Sequence, residues 1–182
     1  MHNKPEIYYF INHFNINEIR KLNKNISLIY RNYKQKFDLE IIKNIKNLCL
    51  KQQRKFYISN SFKIAKNLKL DGMYIPPFNN LANFKNFNLP NDFKIIGSAH
   101  NLVELIEKKK QGCAEIFISP LFKTQKSKFF LDISKFNLIS NASASKIIAL
   151  GGINSSNYIK LKAVKCFGFA SIRWIKKTGL SK

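Results

Sequence analysis

Acidic side chains are scarce in this chain: ten Asp and Glu stand against 32 Lys and Arg, a formal net charge of +22 over 182 residues. A surplus of that size points to nucleic acid, a membrane surface or small anionic ligands as partners. Arginine is scarcer still, with four residues beside 28 lysines. Because the planar guanidinium is the preferred reader of phosphate and base edges, its rarity argues against nucleic acid. Lys, Ile, Asn and Phe supply half of the chain, and all four have AT-rich codons, so base composition can supply much of the lysine. Cysteine occurs three times, at 49, 113 and 166. Odd in number and far apart, these residues read as reduced core thiols and exclude a disulfide framework or a zinc site. Seven glycines and five prolines form no tract, so no linker stands out and disorder is excluded beyond the termini. No apolar run approaches the ~18 residues of a membrane span, and the opening MHNKPEIYYFINHF has the wrong flanks for a signal peptide. The expectation is a soluble, cytoplasmic protein without membrane contact.

What is present is a 45% hydrophobic chain, long enough to bury a sizeable core as one domain over 1–182. Short apolar runs with strand character fall at 6–11, 26–32, 55–59, 72–75, 93–98, 114–119, 146–150 and 166–170. Between them lie segments with helical spacing, clearest at 38–53 (Ile41, Ile45, Leu48, Leu50) and at 101–112, which stops at Gly112. The segment 154–165 opens with Asn and Ser of capping type and also reads as a helix. The run Lys108-Lys109-Lys110 reads as a solvated helix face. Alternation of near-continuous apolar strands with helices calls for a parallel sheet covered by helices, and eight such units call for a closed (β/α)₈ TIM barrel. The runner-up is an open doubly wound sheet, disfavoured because no G-x-G-x-x-G follows the first strand.

Gly151-Gly152 ends the seventh apolar run, and FASIR (169–173) ends the eighth. In barrels of this kind those two strand ends commonly hold a phosphate against backbone N–H groups and a short helix. Gly151, Gly152 and the turn of Ser171, Ile172 and Arg173 are therefore candidate phosphate-binding residues. The alternative is a helix-entry turn with no ligand.

A longer series of motifs, in order along the chain, resembles the thiamine phosphate synthase/TenI superfamily of small barrels. IGSAHNLVELIEKKKQGCAEIFISPLFKTQKSK (96–128) is similar to a G-x-S-x-H strand end, an amphipathic helix and G-A-D-Y-I-x-x-G-P-x-F-x-T-x-x-K. IIALGGI is similar to A-I-G-G-I, LIYRNYK (28–34) to Q-x-R-x-K, and FYISNSFKIAKNLKLDGMYIPP (56–77) to I-I-N-D, a short helix and A-D-G-V-H-L-G-Q. The resemblance implies a synthase that joins a hydroxymethylpyrimidine diphosphate to a thiazole phosphate, releasing pyrophosphate, with Mg²⁺ and side-chain cations stabilising the departing charge. It implies diphosphate contacts from Arg31, Ser98 and Thr124, and a thiazole-phosphate turn at Gly151 and Gly152. The loop lysine falls on Ser127, leaving Lys126 and Lys128 on either side to reach the same space, and the strand-two lysine falls on Tyr33, next to Lys34. The two Mg²⁺-ligand aspartates fall on Asn60 and Asn79, which would hold the metal or the substrate only through neutral amides.

Pro120 stands where the isomerase branch of the superfamily carries histidine, which leaves His100 as the histidine nearest the strand ends. Arg173 falls where the family has a small residue, so it either adds charge to the phosphate or blocks the pocket. The implied partners are phosphorylated small molecules. Two alternatives stay open: a diverged relative that binds a phosphorylated heterocycle without Mg²⁺-dependent synthesis, and a basic nucleic-acid-binding protein.

Overall fold

The computed structural model describes residues 5–33, 36–81, 83–84, 86–125 and 127–180. All eight expected strands form: β1 (Glu6–Ile11), β2 (Ile26–Tyr30), β3 (Phe56–Ser59), β4 (Gly72–Ile75), β5 (Lys94–Ala99), β6 (Glu115–Ile118), β7 (Lys146–Leu150) and β8 (Gly168–Ala170). Each pairs in parallel with its sequence neighbour, and β8 returns to β1 through Ile7↔Phe169, closing the barrel. The fold is the (β/α)₈ barrel. No helix among the described residues is long and apolar enough to cross a membrane.

Alternation along each strand divides the core in two. Inward-facing Tyr8, Phe10, Ile29, Tyr57, Tyr74, Ile96, Phe117, Ile148 and Ala170 fill the barrel. Their rings meet edge to face, with Tyr8–Phe117 centroids 5.0 Å apart and Phe10–Tyr74 5.3 Å. Outward-facing Tyr9, Leu28, Phe56, Ile58, Ile116 and Ile147 meet the helices.

The helices are α1 (Ile16–Lys21), α2 (Leu39–Lys51), α3 (Phe62–Asn67), α4 (Leu102–Lys110), α5 (Asp132–Asn141) and α6 (Arg173–Thr178). Asn15, Asp38 and Asn101 cap α1, α2 and α4 by accepting first-turn N–H groups. The buried stripe of α2 is Ile42, Ile45, Leu48 and Cys49, which leaves Leu50 on the outside. The helix expected over 154–165 is only a 3₁₀ turn, Tyr158–Ala163. Asn154 Oδ1 accepts from the Ser156 N–H (2.9 Å) and Asn157 Oδ1 from the Asn154 N–H (2.9 Å), capping bonds like those of Asp38, but the backbone behind them closes at i→i+3, as in Lys160 N–H to the Asn157 carbonyl (3.0 Å). In the connection from β4 to β5 the described residues carry no helix, and aromatic packing covers the barrel instead. Phe62 lies 5.0 Å from Phe84, 5.7 Å from Phe87 and 5.9 Å from Phe93.

The lysine run departs from expectation. Lys109 and Lys110 are exposed, but Lys108 is fully buried, its Nζ donating to the Asn79 carbonyl (2.7 Å) and to Gln111 Oε1 (2.9 Å). At the amino-terminal end of the barrel Glu115, 1% exposed, receives Lys94 Nζ (2.5 Å) and the Tyr8 hydroxyl. Lys94 and Lys146 also approach Glu6, at 3.8 and 3.7 Å. This end is a stability device, and the opposite end is left open for chemistry.

Candidate functional site

At the carboxyl ends of the strands a cavity of about 560 Å³ opens, lined among others by Arg31, Tyr33, Tyr74, Ser98, His100 and Ser119. Arg31 and Ser98, both expected at the site, follow β2 and close β5, and the parallel barrel brings them to one mouth. Ser98 is buried; the Arg31 guanidinium lies 4.5 Å from the Phe10 ring centroid and forms no ion pair among the described residues. A smaller hollow of about 270 Å³ beside Ser143, Ser145 and Lys165 is a separate surface feature.

Tyr33 donates no charge where the resemblance places a lysine. Burial pushes its phenol up, against the hydrogen bond from Ser59 and the nearby Arg31, so it stays neutral at ordinary pH. Its hydroxyl accepts from Ser59 Oγ (3.2 Å), and its ring meets that of Phe78 edge-on at 5.3 Å. Lys34 and Lys126 lie outside the described residues.

His100 is oriented from two sides. Its Nδ1 lies 2.8 Å from the Ser119 carbonyl and 3.2 Å from Ser119 Oγ, and its backbone N–H donates to Glu104 Oε2 (2.8 Å). A carbonyl oxygen only accepts, so the hydrogen-bond network assigns the proton to Nδ1 and leaves Nε2 as the acceptor of the neutral ring.

Asn60, just after β3, and Asn79, between the lining residues Phe78 and Asn80, meet beside the cavity without lining it, the Asn79 amide NH₂ donating to Asn60 Oδ1. Asn60 sits at φ 58°, its N–H continuing the ladder to the Tyr74 carbonyl (2.8 Å). All ten Asp and Glu of the chain lie among the described residues, and no group of three His, Cys, Asp or Glu there could hold a metal ion. The cavity's carboxylate, Glu104, is already bonded to the His100 N–H and the Asn101 amide. Hard Mg²⁺ is usually held by one or two carboxylates together with phosphate oxygens, and two neutral amides bonded to each other do not supply that charge; the residues present do not fit a protein-held Mg²⁺.

The Gly151-Gly152 turn follows Leu150, which lines the cavity. Both glycines have positive φ, 95° and 72°. A Cβ on Gly151 would stand 2.7 Å from the Pro120 Cα, and one on Gly152 2.5 Å from the Phe122 carbonyl oxygen. The loop after β6 therefore occupies the space the missing side chains leave, joined by Leu121 N–H to the Leu150 carbonyl (2.9 Å) and Phe122 N–H to the Gly151 carbonyl (3.0 Å). Ser171 Oγ donates to the Ile153 carbonyl (2.8 Å), tying the end of β8 to this turn. Among the described residues nothing accepts the N–H groups of Gly151, Gly152, Ser171, Ile172 or Arg173. Arg173 opens α6, exposed and outside the cavity lining, so it does not block the mouth. Thr124 Oγ1 accepts the Ser127 N–H (3.0 Å) and shapes the loop after β6, on which Lys128 is exposed; neither lines the cavity.

Sequence reasoning missed the aromatic part of the mouth, Tyr74 and Phe78. Tyr74 was recoverable from strand alternation, because it faces the barrel interior as Tyr57 does. Phe78 lies on the loop after β4, where no period applies.

Comparison with known proteins bears on family and fold. The family model described as thiamine monophosphate synthase matches residues 21–175. A thiamine-phosphate synthase of Prochlorococcus marinus is 29% identical over 158 residues, 79% of this chain and 43% of that protein. The chain thus spans less than half the length of that relative. A thiamine-phosphate synthase of Clostridium tetani is 29% identical over 153 residues, 82% of this chain and 73% of that protein. Among solved structures, the thiamine phosphate pyrophosphorylase of Pyrococcus furiosus superposes with a TM-score of 0.73 at 18% identity, covering 97% of this chain and 93% of that one, a likeness of fold.

Proposed function

Since the chain belongs to the thiamine monophosphate synthase family, we propose that it acts in thiamine biosynthesis, coupling hydroxymethylpyrimidine diphosphate with thiazole phosphate to give thiamine phosphate and pyrophosphate. In this reaction the bond from the pyrimidine methylene carbon to the diphosphate oxygen breaks. The thiazole nitrogen lone pair forms the new C–N bond, and pyrophosphate leaves with the bonding electrons. The protein must hold the diphosphate, place the thiazole nitrogen against the methylene and stabilise the departing charge.

The observation that carries this reading is the convergence of Arg31 and Ser98 on one cavity whose lining includes Leu150, the residue just before the Gly151-Gly152 turn. Arg31, which forms no ion pair among the described residues, takes the diphosphate with Ser98. The N–H groups of Gly151, Gly152, Ser171, Ile172 and Arg173, unengaged among the described residues, take the thiazole monophosphate. Aromatic Tyr33, Tyr74 and Phe78 offer flat apolar surface to the heterocycles. A thiamine-requiring bacterium lacking its own thiamine-phosphate synthase tests the proposal: the full chain restores growth without added thiamine, and an Arg31→Ala chain does not. Growth failure with well-expressed, folded protein contradicts it.

The neutral Asn60–Asn79 pair favours a second reading, a relative that binds a phosphorylated heterocycle and does not turn it over. Under that reading thiazole phosphate binds but no thiamine phosphate forms.

A further inference from the structure

We infer that the Asn60–Asn79 amide pair takes the place of a divalent cation at this mouth, so that the protein recognises a diphosphate group free of metal. The inference rests on the proposed function for the identity of the ligand, and on the geometry of the rim for its chemistry.

Two carboxylates at these positions would face each other through oxygen alone, and only a cation or a shared proton would hold them together. Here Asn79 supplies the missing donor itself. Its Oδ1 accepts the Leu81 N–H (3.1 Å), which turns its NH₂ toward Asn60 Oδ1. The pair is therefore closed by a hydrogen bond and needs no cation to hold it together.

The arrangement is supported from behind. The Asn79 carbonyl receives Lys108 Nζ (2.7 Å) and Gln111 Nε2 (2.9 Å), both from the end of α4. Lys108 is fully buried and pays for its position in lost hydration, which pulls its ammonium below the ordinary lysine value. Gly97 on β5 leaves room beside it, since a Cβ there would lie 2.6 Å from Cys113 Sγ and 3.1 Å from Lys108 Cδ. Lys108 and Gln111 are positioning residues: they touch the Asn79 backbone, not the ligand.

The charge balance agrees. Replacing both carboxylates by amides removes the negative charge that a bound cation would offset, and the Arg31 guanidinium has no acidic partner among the described residues. A metal-free diphosphate meets the Arg31 cation beside amides that do not repel it, and the cavity's carboxylate, Glu104, is engaged by the His100 N–H and the Asn101 amide.

Calorimetric titration of the full chain with inorganic pyrophosphate, in EDTA and in excess Mg²⁺, tests this. The protein is expected to bind pyrophosphate at least as tightly in EDTA as in Mg²⁺, because solution Mg²⁺ competes for the free anion. The Asn60→Asp/Asn79→Asp variant is expected to reverse that order, weakening by at least about tenfold in EDTA and recovering when Mg²⁺ is added. Thermal melting establishes that the variant is folded, and the wild-type comparison stands without it. Wild-type binding that requires Mg²⁺, or no pyrophosphate binding in EDTA, overturns the inference. Thiamine phosphate synthesis measured in the same two buffers separates the claims. Product formed only with Mg²⁺ overturns the inference and leaves the proposed function standing; metal-free pyrophosphate binding without product does the reverse.

Discussion

The Arg31 guanidinium lies 4.5 Å from the centroid of the Phe10 ring, so the cavity's cation rests on the top of the barrel's aromatic filling. The ring fixes the guanidinium without neutralising it. Arg31→Ala is expected to weaken pyrophosphate binding by at least about tenfold, as loss of a charge-assisted contact does, while the melting temperature stays close to wild type. Arg31→Lys keeps the charge but not the fork, and is expected to recover only part of the affinity. Unchanged affinity in Arg31→Ala removes Arg31 from the site.

Gly152→Ala sets a Cβ 2.5 Å from the Phe122 carbonyl oxygen at a φ of 72°. Strain and displacement of the loop after β6 are expected to cost about 2 to 3 kcal/mol, read from chemical denaturation. Binding of thiazole phosphate is expected to fall as well, because the same turn carries the unengaged N–H groups. Wild-type stability would mean that the loop is not clasped to the turn.

The amino-terminal end governs the response to pH. Half-burial raises the Glu6 carboxyl, but the Tyr8 hydroxyl, Lys94 and Lys146 outweigh it and hold Glu6 below its usual value of 4.5. A lowered folded-state value means that this stability is present above the unfolded value and is lost as pH falls through the folded one. Glu6→Gln is expected to flatten the acid limb of a stability–pH curve below about pH 4.5. An acid limb identical to wild type contradicts the assignment.

Lys94 behaves oppositely. Burial lowers its ammonium, yet the Glu115 hydrogen bond and the charges of Glu115 and Glu6 raise it above 10.5. Its stabilisation is complete below the unfolded value and is lost as pH rises through the folded one. Lys94→Met, which leaves buried Glu115 without its ammonium partner, is expected to cost about 3 kcal/mol at neutral pH. Near-neutral stability would show that the Tyr8 hydroxyl alone satisfies Glu115.

The strands were legible because a parallel barrel buries both faces of each strand, so every one is a short, unbroken apolar run such as KIIAL or GMYI. Arg31 and Ser98 were legible through their place at strand ends. Lys108 was not, because its burial depends on a missing side chain at Gly97 and on a carbonyl at Asn79, partners that a run of three lysines does not reveal. Capping-type residues at 154–157 suggested a helix, and they do cap a turn, but the backbone behind them winds only as the 3₁₀ turn Tyr158–Ala163. Gly151 and Gly152 read as room for a ligand, and their Cβ directions are instead filled by the loop after β6.

The most direct measurement mixes the purified full chain with hydroxymethylpyrimidine diphosphate and thiazole phosphate and follows phosphorus resonances over time, once in EDTA and once in Mg²⁺. The expected result is loss of both substrates in step with the appearance of one thiamine phosphate and one pyrophosphate per turnover, in EDTA as well as in Mg²⁺. Substrates that persist unchanged in both buffers contradict synthase activity.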